Sequence, residues 1–152
     1  MAIRDFAAEY EAATQQFLDL ATSINEEDLD RSDAEGWTPR QVIHHLADSE
    51  AQSYARLRRL IAEPGTIIQG YDEGKWASHP TLGYSDSDVT SAIAVFTAVR
   101  SASHQLILRL SESELSNSGT HSESGAYSVR TWLDTYTNHP KDHAEQIREQ
   151  LV

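Results

Sequence analysis

The stretch Val129-Arg-Thr-Trp-Leu-Asp-Thr-Tyr-Thr-Asn-His139-Pro-Lys-Asp-His143-Ala-Glu-Gln-Ile-Arg-Glu-Gln-Leu-Val152 decides the fold. Its candidate core positions are Val129, Trp132, Tyr136, His139, His143, Ile147 and Leu151, spaced three or four apart. That is the period of one helical face. Two histidines stand on this face where Leu or Ile is expected. Four residues apart, they lie one above the other, close enough to share one metal ion. Two ligands are one short of a usual protein metal site, so the rest of the chain is searched for a third.

Outward from this helix, three more amphipathic segments appear. Ile3, Phe6, Tyr10, Ala13, Phe17, Leu20 and Ile24 form the stripe of a first helix, Ile3 to Thr22. Ser23 to Leu29 reads as a capped turn, and Asp30 to Gly36 as a polar loop. A second helix starts at Thr38 as N-cap, with Pro39 in the first turn and Gln41 closing a capping box. Trp37 and Val42 can form its hydrophobic staple. It runs to about Ala62, before Pro64-Gly65. Its inward face turns polar midway, through His45, Asp48, Ser49 and Gln52, which suggests a lined cavity. Residues 64 to 84 form a long connection, of a length that often serves as a functional cover. A third helix is expected from Ser85 or Asp86 to about Leu110, on Val89, Ile93, Phe96, Val99, Leu106 and Leu110. Ser111 to Leu115 is another short turn, and the Ser/Gly-rich run Asn117 to Ala126 reads as mobile. Ser128 caps the last helix, and its apolar phase continues unbroken through Pro140, so one kinked helix is expected rather than a restart.

The halves repeat. Trp37-Thr-Pro-Arg-Gln-Val-Ile43 matches Tyr127-Ser-Val-Arg-Thr-Trp-Leu133 in character, and the short turns before them correspond. The expected fold is therefore an all-α, up-down-down-up four-helix bundle of two αα-hairpins, with no sheet of consequence. Under that alignment His45 falls opposite Thr135, one turn before His139. It can face the His139/His143 pair as the third ligand. His44 points about 100° away from His45 and is read as a flank residue. His79, His104 and His121 have no partner at useful spacing.

Composition narrows the functional classes. The chain has 152 residues and a formal net charge of −12, which argues against a phosphate backbone or anionic membrane as partner. No apolar run approaches membrane-spanning length, and no basic-then-apolar leader is seen at the start; a cytoplasmic protein is the default expectation. There is no cysteine, so any metal takes His, carboxylate or water. Three His and an open position form a catalytic rather than structural pattern. Asp48, one turn beyond His45, can orient a ligand or handle protons. Ser49, Gln52, Tyr71, Lys75 and Trp76 are the candidate substrate-binding residues. Imidazole must be neutral to ligate, so affinity is expected to fall below about pH 6.5.

At Trp37-Thr-Pro-Arg-Gln-Val-Ile-His-His-Leu-Ala-Asp-Ser49, Tyr71-Asp-Glu-Gly-Lys-Trp-Ala77 and His139-Pro-Lys-Asp-His143-Ala-Glu-Gln-Ile147 the chain resembles the DinB/YfiT-like family. These motifs occur in the family's order along most of the chain, as expected of one such domain over 1–152. The resemblance implies the same triad, His45, His139 and His143, a divalent metal such as zinc or nickel, and a homodimer. Pro140 departs from the small or polar residue expected there. Some members of the family transfer low-molecular-weight thiols to electrophiles, which makes a thiol S-transferase-like enzyme the first expectation. A metal-dependent hydrolase and a non-catalytic binding bundle are the alternatives. The absence of Cys means that a thiol would come from a small cosubstrate.

Overall fold

The computed structural model describes residues 1–32 and 36–152; part of the expected 30–36 loop lies outside the described residues. Four long helices carry the structure: α1 (Ile3–Ser23), α2 (Pro39–Ala62), α4 (Thr90–Ile107) and α5 (Val129–Gln150). Between α2 and α4 the chain forms β1 (Ile67–Ile68) and the short helix α3 (Glu73–Ser78). Between α4 and α5 it forms β2 (Ser118–His121) and β3 (Gly125–Ser128).

The long helices run up-down-down-up. Phe6 and Tyr10 of α1 meet Val129 and Trp132 of α5, so those two run parallel, while α4 brings Ile107 to the same level from the opposite direction. The Gln150 amide of α5 donates to the carbonyl of Trp37 just before α2, which fixes α2 and α5 as antiparallel. The broad interfaces are α2/α4, α1/α5, α1/α4 and α2/α5. The two halves of the chain thus interlock, each helix packing mainly on helices of the other half. The α1/α5 and α4/α2 pairs are equivalent, as the internal repeat requires.

Local chemistry sets the helix starts. The Thr38 hydroxyl accepts from the Gln41 amide at 3.2 Å and the Gln41 side chain accepts from the Thr38 amide at 2.9 Å. These bonds satisfy donors that the first turn leaves unpaired. Arg40, buried in the first turn of α2, bonds Asp30 at 2.8 Å, Glu26 at 3.0 Å and the Ser87 carbonyl at 2.9 Å. It pins the start of α2 to the connections on both sides. Ser128 caps α5 through the Thr131 amide at 3.1 Å. The helix then runs through Pro140 without a break.

Three expectations are corrected. The third long helix starts at Thr90, not at Ser85 or Asp86, because Gly83 turns the chain at φ 69° and Asp88 accepts from the Thr90 amide at 2.8 Å. Its buried face is Ala92, Phe96, Arg100, Ser103 and Ile107; of the expected stripe Phe96 and Leu110 are buried, Val89, Ile93 and Leu106 pack half-buried against the core, and Arg100 rather than Val99 fills the middle. The run Asn117 to Ala126, read as mobile, forms an antiparallel hairpin, and β2 also pairs in parallel with β1. This three-stranded sheet closes the end of the bundle where α2 and α4 finish. At Gly119 the Thr66 carbonyl approaches so closely that a Cβ would lie 2.3 Å from it, so only glycine fits.

The apolar core is divided. One cluster, nearer the sheet, holds Phe6, Tyr10, Leu57, Ile107, Trp132 and Tyr136. The other holds Phe17, Val42, Leu46, Phe96, Ala144 and Ile147. Between them lies a polar layer containing the ion pair Glu50–Arg100, both side chains fully buried and 2.9 Å apart. The polar break expected on α2 is therefore centred on Glu50 and Ser53, and Gln52 lies to its side.

Candidate metal centre

His45 of α2 and His139 and His143 of α5 converge in the polar layer. His45 Nε2 is 3.2 Å from His139 Nε2, which is 3.0 Å from His143 Nε2. One ligand atom from each lies within 4.8 Å of both others. His45 is 1% exposed, and its ring packs on Trp37 at 4.9 Å between centroids. Trp37 thus does more than staple the helix start: it walls the site.

The donor set suits a cation. A neutral imidazole nitrogen carries either a proton or a lone pair, so His139 Nε2 cannot make good hydrogen bonds to both neighbours at once. A single positive ion satisfies three lone pairs together. His143 Nδ1 lies 2.7 Å from Gln146 Oε1, an acceptor that holds the proton on Nδ1 and leaves Nε2 free to ligate. Burial pushes the His45 pKa down to about 4, and the charge that His143 can carry pushes the same way. His139 is pushed down to about 3, again by burial first, then by His143, His45 and Arg100. Burial also lowers His143, opposed by Gln146 and by the charges of Glu73 and Asp142. In the folded chain burial keeps His45 and His139 neutral well below pH 6.5, which extends downward the range over which both can ligate.

The other candidate residues are dispersed. Asp48 accepts a hydrogen bond of 2.5 Å from the hydroxyl of Tyr84. Burial first, and Asp48 second, raise the Tyr84 pKa far above the usual phenol value. Tyr71 packs at a tilt against Trp76, 4.6 Å between ring centroids, and its buried hydroxyl has no partner among the described residues; burial pushes its pKa up to about 12. Ser49 is buried nearby, beyond hydrogen-bond geometry to Tyr71, and the charge of Glu73 adds to the upward push on the Tyr71 pKa. Gln52 lines a separate groove with Arg56, Arg59 and Gln69. Lys75 is in solvent, its amine 3.8 Å from Asp72. His44 turns away from the triad, stacking on Tyr84 with its Nε2 3.1 Å from the Ser87 carbonyl.

Sequence reasoning missed Tyr84, Gln146, Glu73 and the Glu50–Arg100 pair. Gln146 was legible as the i+3 neighbour of His143. Glu73 became visible only when residues 73–78, expected as loop, formed α3 behind the Asp72 cap. No local pattern joins Tyr84 to Asp48 or Arg100 to Glu50.

A relative in Oceanobacillus iheyensis named "Putative metal-dependent hydrolase" is 32% identical over 146 residues, spanning 95% of this chain and 83% of its own. One of the same name in Bacillus mycoides is 30% identical over 140 residues, 88% of this chain and 79% of its own. YfiT from Bacillus subtilis, described as "a probable metal-dependent hydrolase with an unusual four-helix bundle topology", superposes with a TM-score of 0.88. It is 23% identical, over 97% of this chain and 85% of that one, and establishes likeness of fold. The DinB superfamily model matches residues 9–147, from the middle of α1 almost to the end of α5, and with these relatives it makes the chain a member of that family.

Proposed function

We propose that this chain is a metal-dependent enzyme acting on a small molecule, with His45, His139 and His143 holding one divalent ion, zinc or nickel. The observation that carries the reading is the convergence of one ligand atom from each of three histidines, one buried and two half-buried, within 4.8 Å of one another. When bound, the ion supplies positive charge that lowers the pKa of a nucleophile, water in hydrolysis or a thiol in conjugation. The chain's own residues do the rest. Trp37 shields His45 from water. Gln146 fixes the His143 tautomer. Asp48, one turn after His45, accepts from Tyr84, which orients the carboxylate, and in this reading the carboxylate is the proton acceptor. Tyr71, Trp76 and Ser49 border the same region and are the substrate-facing residues in this reading, with Gln52 and Lys75 at its margin.

The names of the relatives favour hydrolysis as the reaction class. A second reading, thiol addition to an electrophile, is favoured by the ligand set. Three neutral imidazoles leave the double charge of the ion uncompensated, which suits a thiolate, and the thiol would come from a cosubstrate because the chain has no Cys. In both readings we take the protein as a cytoplasmic homodimer of one such domain per chain. Light scattering and cell fractionation test those two points.

The deciding experiment measures metal content, then activity. Zinc or nickel in wild type but not in His143→Ala supports the site, and equal metal in both refutes it. Metal-dependent cleavage of an ester or amide panel without thiol identifies the hydrolase. Conjugation of a chromogenic electrophile that needs both metal and thiol identifies the transferase, and inactivity on both panels identifies a binding protein.

A further inference from the structure

Two costly features meet at one atom beside the triad. Pro140 lies inside α5 and has no N–H to give the carbonyl of Tyr136. Its ring also crowds that carbonyl outward. The freed oxygen is taken by Arg100, whose Nη1 donates to it at 2.6 Å. The same guanidinium donates to Thr14 Oγ1 at 2.7 Å, to Glu50 Oε1 at 2.9 Å and to the Tyr10 carbonyl at 3.0 Å. It also lies 3.6 Å from the Tyr10 ring centroid. Glu50 is held in turn by Ser53 at 2.9 Å, and the Ser53 carbonyl accepts from Trp132 Nε1 at 3.0 Å. All four long helices are tied at this level.

Stability alone does not account for this arrangement. A buried ion pair is commonly replaceable by apolar side chains without loss, and a proline inside a helix is unfavourable. The place is informative: Pro140 directly follows His139, and the carbonyl it frees belongs to the turn that carries His139. We infer that the Glu50–Arg100 pair and Pro140 act together as a positioning device that sets His139 relative to His45 and His143, and so sets metal affinity. Glu50, Arg100 and Pro140 are positioning residues; they touch neither the ion nor the substrate. This inference rests on the three-His reading above.

The test separates metal affinity from folding. Zn²⁺ affinity of full-length protein is measured by competition with a chromogenic chelator and referred to the folded fraction found by circular dichroism. The visible spectrum of the Co²⁺-loaded protein reports ligand geometry. Pro140→Ala restores the N–H and relieves the ring. The expected result is a metal-free protein more resistant to urea, with Zn²⁺ affinity lowered about tenfold or more and an altered Co²⁺ spectrum, as for loss of a group that orients a ligand. Glu50→Gln lowers affinity in the same way, and if it does not fold, Pro140→Ala decides alone. Unchanged affinity and spectrum in folded Pro140→Ala overturns the inference. So does an affinity loss that vanishes once the unfolded fraction is subtracted. A wild type that binds no Zn²⁺ would instead refute the three-His reading, a distinct result from equal binding by wild type and variants.

Discussion

Acid should unfold the metal-free protein through its own candidate ligands. In the unfolded chain His45 takes up a proton near pH 6.5; in the folded chain burial delays this to about pH 4. As pH falls through 6.5 the unfolded state gains a proton that the folded state does not, so stability present at pH 7 is lost progressively until about pH 4. At about 1.4 kcal/mol per pH unit, His45 alone removes roughly 2 kcal/mol between pH 7 and pH 5. His139, lowered further still, pushes the same way. Against a total of roughly 5–15 kcal/mol for a domain, that is a large share. The assay is urea unfolding followed by circular dichroism, with chelator present, at pH 7, 6 and 5. Other groups also titrate, so wild type is compared with His45→Leu, which cannot take up the proton. The wild type should lose roughly 2 kcal/mol more than the variant over this range. Parallel losses in the two proteins would show that His45 is not held neutral by burial, and the reasoning would fail.

Three further outcomes are expected. His143→Ala should lose bound metal while His44→Ala keeps it, because the His44 ring stacks on Tyr84 away from the triad; elemental analysis decides. Arg100→Met should cost about 3–5 kcal/mol in urea unfolding by leaving Glu50 and the Tyr136 carbonyl buried without their partner, and adding Glu50→Leu should recover the part due to Glu50. Gly119→Ala should destabilise the sheet end of the bundle, since its Cβ would meet the Thr66 carbonyl; faster hydrogen exchange at the Thr120 amide, which donates to that carbonyl, would report it.

The parts of this protein that were legible in sequence are those governed by short-range chemistry. The start of α2 follows from Thr38, Pro39 and Gln41, which meet within one turn. His139 and His143 share a face because a helix places residues four apart in line. His45 was reachable because the halves repeat. Where long-range pairing rules, the reading failed. β2 and β3 carry glycines, serines and a histidine instead of an alternating apolar pattern, and they are strands because β1 and each other complete their hydrogen bonds. The phase of α4 was misread for a related reason. Val99 and Leu106 were taken as its inward face, but Arg100 and Ser103 are the buried residues. A rule that assigns apolar residues to the core fails where the core itself is polar. That same polar layer explains Pro140. In sequence it looked like a flaw in a helix already carrying two misplaced histidines. In the fold its missing N–H is matched by an arginine from α4, which is matched by a glutamate from α2. No single segment holds this logic, because each residue is unfavourable alone and only the assembled layer makes them compatible.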